Sequence, residues 1–426
     1  MATSMGSGGL GPKILLSKPA AARAEGSGSS GPSGIKLMRD RDDDGAGRRM
    51  PQVSLNVLSD SWDLTPERYL PLIADNQEFM VVGVLGPPGA GKSTILNELY
   101  GFESSSQGIL PPFNTQTEDI RAMARHCSVG IELRMAAERI ILVDTQPLFS
   151  ASVLVDLMRP DGTSNISVMG GEVMSAELAH EIMGLQLGVF LFSVCHVVLL
   201  VTEGTDDVSM WRYMRTIEML KQGIPDPSIY SQSSSAFENS GDKDNDSLQD
   251  DQLEHFADAV FVHTKLQDVS YTEIKCLEMA LNSYFPNPAF NRNSLIRYVV
   301  PQFPPPSEWH KMSSHLKGMQ PMLKPVENGS EATSIRKLRK PEKGVNFYVL
   351  PLKVSGDVVQ NTYESYHVML QQLRNQVLSL QRRSFSKPLF ERDWLKVLPR
   401  IWDLVKKSPV LAEYCKMLQS SGHFRR

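Results

Sequence analysis

Apolar and polar positions along this chain fall into short apolar runs alternating with longer amphipathic segments. Residues 79–85 (FMVVGVL) form a short apolar run that ends in a glycine-rich loop, and a helix is expected over 92–100. Residues 128–135 (SVGIELRM) alternate with a period of two, as a strand with one wet face does. Residues 139–144 (RIILVD) read as a buried strand. A long helix is expected over about 175–194, followed by a strand over 196–202. In the next helix Val208, Trp211, Met214, Ile217 and Leu220 recur near one face. A buried strand at 258–263 precedes a helix at 271–285. For the last strand, periodicity leaves two candidates, 295–300 and 346–350. Strands alternating with helices predict an α/β fold with a mostly parallel, helix-covered sheet.

Near the C-terminus, Val359, Tyr363, Tyr366, Leu370, Leu373, Val377 and Leu380 are spaced alternately by four and three residues, a heptad seam. Such a helix either packs on its own sheet, the plainer reading, or docks a partner. Three segments lack the apolar content to offset chain entropy and are expected to be disordered: a tail at 1–50, an insertion at about 231–252, and a loop at about 303–344. The expected organisation is therefore a tail (1–50), an extension (51–75), a P-loop domain (76–302), and a last strand with C-terminal helices (345–426) completing that domain.

Composition narrows the class only slightly. The chain has 41% apolar and 22% charged residues and a net charge of −4, which argues for neither nucleic acid nor membrane on the whole chain. Four cysteines without a C-x-x-C pair exclude a sequence-local zinc site and make a disulfide framework an unfavoured reading. No charged start with an apolar stretch behind it marks a secretory leader, so a cytosolic or nuclear location is expected, with the cytoplasm taken as the reading. The apolar run at 185–201 is read as a buried helix end entering a buried strand rather than a membrane span. Residues 381–426 carry eleven Lys/Arg against four Asp/Glu. Within them Trp394, Leu395, Leu398, Ile401, Trp402 and Val405 recur at helical spacing, so the basic residues are read as a solvated or partner-facing side, and direct RNA binding is not expected.

The chemistry lies in Gly86, Pro87, Pro88, Gly89, Ala90, Gly91, Lys92 and Ser93, which fit G-x-x-x-x-G-K-[ST] between an apolar strand and a helix. Glycines let backbone N–H groups turn inward around phosphates, and the helix N-terminus adds partial positive charge. Lys92 would reach the β- and γ-phosphates, Ser93 would ligate Mg²⁺, and Thr94 joins the phosphate-binding set. Asp144, closing an apolar strand, is a candidate Mg²⁺ ligand directly or through water. Between them, Thr115 and Thr117 are alternative switch-type threonines for the metal and γ-phosphate, and Thr117 is taken as the metal candidate.

Two departures from a working GTPase follow. D-x-x-G becomes Asp144-Thr-Gln-Pro147, and proline has no N–H to give the γ-phosphate. Leu148 stands where a water-positioning side chain is needed, with Gln146 as the substitute one residue early. Hydrolysis is expected to be slow or absent, and the chain is read as no enzyme. The base-reading N-K-x-D becomes Thr264-Lys-Leu-Gln267, leaving Lys265 to lie along the base and the choice between ATP and GTP, or their diphosphates, open.

The combination GPPGAGKSTILNELYGF, FNTQTEDI, DTQPLFS and HVVLLVTEG resembles the nonsense-mediated mRNA decay factors numbered nine in the SMG series, from about Val53 onward. The resemblance implies a GTPase-like domain that pairs with the equivalent domain of the SMG factor numbered eight. It also implies docking on, and restraint of, a phosphatidylinositol-3-kinase-like Ser/Thr protein kinase. Gly86, Gly91, Lys92, Ser93 and Asp144 carry over as P-loop residues; of the base contacts only Lys265 does. Rival readings are a partner-activated NTPase switch, an RNA-binding protein using the basic C-terminal helices, and a small-molecule kinase, for which no acceptor pocket is visible.

Overall fold

The computed structural model describes residues 56–73, 75–102, 110–136, 138–170, 173–205, 207–230, 254–267, 270–290, 344–353, 365–380 and 385–422. The expected tail, the insertion at 231–252 and nearly all of the loop at 303–344 lie outside them.

Six strands form one sheet: β1 (Met80–Leu85), β2 (Ile131–Ala136), β3 (Ile140–Thr145), β4 (Val197–Glu203), β5 (Asp258–Leu266) and β6 (Asn346–Pro351). Their order is β2-β3-β1-β4-β5-β6, and every pairing is parallel except β2 with β3. β1, β3 and β6 are buried at every position, which is why they read as continuous apolar runs. The later candidate, at 346–350, thus supplies a strand; residues 295–300 lie outside the described residues.

The helices are α1 (Lys92–Tyr100), α2 (Glu118–Ala122), α3 (Ala151–Leu157), α4 (Ala176–Val194), α5 (Val208–Leu220), α6 (Tyr271–Tyr284), α7 (Tyr366–Ser379), α8 (Glu391–Lys406) and α9 (Pro409–Ser420). α4 is apolar enough, by length and composition, to cross a membrane, yet 78% of its apolar window is buried within the protein. It is covered by α8: the Trp394 indole N–H donates to the Val194 carbonyl at 2.9 Å, and the rings of Phe190 and Trp402 meet edge-on at 5.1 Å. The polar Gln186 within α4 is satisfied, accepting from Trp62 Nε1 at 2.7 Å and donating to the Val168 carbonyl at 3.1 Å.

β2 departs from the expected half-wet strand. Glu132 and Arg134 are buried, because the N-terminal extension closes over this edge. Val57 N–H donates to the Ile131 carbonyl at 2.8 Å, Asn56 Oδ1 accepts from Ile131 N–H at 3.0 Å, and Tyr69 O–H donates to the Leu133 carbonyl at 3.3 Å. Alternation in sequence records residue polarity, and it cannot foresee a distant segment covering the polar face.

At the other edge, α7 packs on its own sheet. Met369, Leu370, Leu373 and Val377 are buried, and Tyr348 O–H of β6 donates to the Met369 carbonyl at 2.8 Å. Val359 and Tyr363 of the heptad seam lie outside the described residues. In α8 the expected apolar face, Trp394 to Val405, is in the core, so these tryptophans offer no stacking surface to a nucleic-acid base. Several of its basic residues have intramolecular partners: Arg392 with Asp75 at 2.9 Å, Lys396 with Asp393 at 3.1 Å, Lys406 with Asp63, and Arg400 over the Tyr230 ring at 3.8 Å.

Candidate nucleotide-phosphate site

β1 delivers the chain to Gly86, where close packing dictates the residue. A Cβ at Gly86 would lie 2.0 Å from the Val201 carbonyl oxygen of β4, so a side chain there would drive the strands apart. The loop then climbs to Gly91, whose φ of 101° is left-handed and which caps α1 without a side-chain hydrogen bond. The first-turn amides of α1 have no intrahelical acceptor, and the helix dipole adds partial positive charge at the same end. This end borders a cavity of about 110 Å³ lined by Pro88, Gly89, Gly91, Lys92, Ser93 and Thr94 from the loop and α1. The facing wall is Asn114, Thr115, Gln116, Arg121, His126, Cys127, Ser128 and Pro147.

Lys92 is buried and folds back along the loop, its Nζ donating to the carbonyls of Gly86 and Pro87 at 3.0 Å each. Burial pulls its pKa down to about 8, opposed by the nearby Asp144 charge, so the ammonium persists at neutral pH. Asp144 is fully buried at the end of β3. Its Oδ2 accepts from Ser93 and Ser128 hydroxyls, each at 2.8 Å, and its Oδ1 from Thr145 N–H at 2.9 Å. Burial pushes the Asp144 pKa up, against the pull of Lys92 and these hydrogen bonds. A hydroxyl and a buried carboxylate side by side at the mouth of a P-loop form a hard-oxygen donor set that fits Mg²⁺ held together with phosphate oxygens.

The chain after Asp144 is tied down at successive residues. Thr145 O–H donates to the Val84 carbonyl at 2.8 Å; Gln146 N–H donates to the Gly130 carbonyl at 2.8 Å. The Gln146 side-chain oxygen accepts from Gly130 N–H at 3.2 Å, and Leu148 N–H donates to the Gly86 carbonyl at 3.0 Å. The Gln146 side-chain oxygen is thus engaged at Gly130, the residue before β2, and Gln146 does not line the phosphate cavity. Leu148 is buried, and Pro147 faces the cavity.

Of the two candidate threonines, Thr115 lines the cavity. Thr117 does not: its hydroxyl caps α2 by accepting from Ile120 N–H at 3.3 Å. Capping competes for the same oxygen a metal would need. Ala90 is buried, and its carbonyl accepts from Thr264 O–H at 2.7 Å, so the first residue of the degraded base motif braces the P-loop. Lys265 stands apart from the phosphate cavity. It has a left-handed φ of 58°, pairs with Glu203 at 2.6 Å, and lines a separate cleft of about 750 Å³ with Trp211 and Gln267.

The sequence pointed to the loop, to Asp144, and to Thr115 and Thr117 as alternatives with Thr117 as the metal candidate; it did not point to Arg121, His126 and Ser128, which line the cavity, or to the contact of Thr264 with Ala90. Arg121, His126 and Ser128 carry no spacing signal; the cluster of basic and hydroxyl residues between the P-loop and Asp144 is the only hint. Among the described residues, no group of three or more His, Cys, Asp or Glu could hold a metal by itself.

A P-loop within a sheet ordered β2-β3-β1-β4-β5-β6, with only β2 antiparallel, defines a GTPase-like P-loop domain. No protein-family model matches the chain. It is similar to the nonsense-mediated mRNA decay factor SMG9 of Xenopus laevis, 27% identical over 349 residues that cover 81% of this chain and 63% of that protein. SMG9 of Salmo salar is 28% identical over 373 residues, 85% of this chain and 67% of that protein. SMG9 of Caenorhabditis elegans is 27% identical over 168 residues, 39% and 40% of the two chains. The resemblance expected from the motif combination is thereby met. The chain spans about 63% of the length of the Xenopus relatives it matches. Among solved structures, a septin GTPase domain from Chlamydomonas reinhardtii matches 80% of this chain and 98% of its own, at 11% identity and a TM-score of 0.29; the fold assignment rests on strand order and loop.

Proposed function

We propose that this chain is a nucleotide-binding regulatory factor that acts in the cytoplasm, and the names of its relatives point to nonsense-mediated mRNA decay as its setting. In this reading it pairs with a second GTPase-like subunit, the SMG factor numbered eight, and the pair restrains a phosphatidylinositol-3-kinase-like Ser/Thr kinase. ATP or GTP is a structural ligand held by the P-loop, and the chain is not itself an enzyme.

The observation that carries the structural-ligand reading is the contrast across one cavity. On one side lie an uncapped helix N-terminus, Lys92, and the Ser93–Asp144 pair at 2.8 Å, which suit triphosphate and Mg²⁺. On the other lies Pro147, without an N–H, and next to it in the chain the buried Leu148 and Gln146, turned toward Gly130, stay out of the cavity lining. Ser93 and Asp144 would hold Mg²⁺, which when bound neutralises phosphate charge. Nothing at Pro147 or Leu148 orients a water for attack. A ligand that binds only the folded state adds RT ln(1 + [L]/Kd), about 2.7 kcal/mol at a hundred times Kd. Partner docking would then rely on a domain stiffened by its nucleotide.

Lys92→Ala tests the link between ligand and assembly. It is expected to abolish nucleotide retention, lower the melting temperature measured with nucleotide present, and weaken capture of the partner subunit. If it abolishes nucleotide binding while folding and partner capture are unchanged, the structural-ligand reading fails.

A further inference from the structure

The wall facing the P-loop raises a specific question: Pro147 has no N–H to give a terminal phosphate, so a bound triphosphate would need another donor there. The facing loop is held firmly enough to supply one. Asn97 of α1 exchanges two hydrogen bonds with the Phe113 backbone, both at 2.9 Å, fixing the loop's entry. Gln116 Nε2 donates to the Arg125 carbonyl at 3.0 Å, clasping its two arms. From this clasped loop two basic side chains, Arg121 and His126, line the same cavity as Gly91, Lys92, Ser93 and Pro147.

The His126 ring is oriented by contacts that leave one nitrogen available. Its Nδ1 lies 2.8 Å from Ser152 Oγ, which in turn lies 2.9 Å from Ser150 Oγ. The Ser152 hydroxyl can donate to Nδ1, and in that tautomer the ring proton sits on Nε2. The nearest carboxylate to Nε2 is Asp156 at 3.9 Å, too long for a hydrogen bond, on a side chain 73% exposed. Burial lowers the His126 pKa, Asp156 opposes this, and Lys92 lowers it further. In that tautomer the neutral ring is an oriented donor, and an approaching dianion would favour adding its second proton.

We propose that His126, through Nε2–H and with Arg121 beside it, binds the terminal phosphate of a nucleoside triphosphate in place of the contact Pro147 cannot make. The site then distinguishes triphosphate from diphosphate without the D-x-x-G glycine. This inference rests on the phosphate-site reading above. It adds to that reading which residues meet the last phosphate.

The test measures Kd for ATP, ADP, GTP and GDP with Mg²⁺ by equilibrium dialysis, on the whole chain and on His126→Ala, His126→Gln, Arg121→Ala and Lys92→Ala. A hydrogen bond to a charged group is worth a factor of about ten or more in affinity. His126→Ala and Arg121→Ala are therefore expected to weaken the favoured triphosphate about tenfold and change the diphosphate less than about twofold. His126→Gln, whose amide reaches the Nε2 position, is expected to recover most of the loss. The proposal is overturned if His126→Ala and Arg121→Ala leave all four constants unchanged. Equal losses for triphosphate and diphosphate overturn it too, since the ring would then only brace Ser152. Lys92→Ala separates the two readings: it should lose both phosphate forms even where the His126 variants behave as wild type. Wild type that binds none of the four nucleotides would overturn the phosphate site itself and this inference with it.

Discussion

At the scale of single residues, the site is a set of positions where one atom more or less changes what is possible. Gly86 is the sharpest case, with the Val201 carbonyl 2.0 Å from where a Cβ would sit. That oxygen belongs to a buried central strand and cannot swing aside as a side chain would. Gly86→Ala is expected to destabilise the protein by about 3 kcal/mol, read as a lower denaturation midpoint, and to lose nucleotide as well. A midpoint within error of wild type would mean that β1 and β4 are not packed as described. The positions of Gly86, Gly91, Lys92 and Ser93 were legible in the sequence because a fixed spacing encodes their local geometry, and Asp144 was legible because it closes an apolar strand. The placement of Thr117, Gln146 and His126 was not. Each is decided by a partner fixed only by the folded backbone: the α2 amide of Ile120, the amide of Gly130, and the hydroxyl of Ser152.

At the scale of elements, periodicity gave the strands and helices around the P-loop because burial and period are the same information for a strand in the centre of a sheet. It failed where one element is covered by another far away in sequence, as at β2 under the N-terminal extension. The same long-range closure traps Glu391 at the start of α8. Its backbone N–H donates to the Asn76 carbonyl at 2.9 Å, while its side chain is 2% exposed and its Oε2 has no hydrogen-bond partner among the described residues. A helix N-terminus favours a carboxylate charge, but burial outweighs it. The Glu391 pKa is pushed up to about 7 by burial, with Arg139 pulling it down and Asp75 pushing it up. For a carboxyl raised in the folded state, the native form holds the extra proton. The stability it contributes is full below the unfolded value of 4.5 and is lost as pH rises through about 7. Glu391→Gln is expected to raise the melting temperature relative to wild type at pH 8 and to narrow that advantage by pH 5.5. An advantage that is the same at both pH values would contradict the buried-acid account.

At the scale of the molecule, N-terminal extension, P-loop sheet and C-terminal helices form one continuous core. Trp402 donates its indole N–H to the Trp62 carbonyl at 2.9 Å, across 340 residues of sequence. Such closure would let a ligand on α1 be felt through the layers packed on the same sheet, so that the proposed nucleotide binding would act on the whole domain. The central proposal is that this domain binds a nucleotide and keeps it rather than consuming it. The most direct test is to incubate the purified chain, alone and with the partner subunit, with radiolabelled ATP or GTP and Mg²⁺, and to identify the bound phosphates by chromatography over hours. The account predicts retained, intact triphosphate and no phosphate release above background, with or without the partner. Bound diphosphate with continuing phosphate release would contradict it, because a working water-positioning group would then have to act where Pro147 and Leu148 stand.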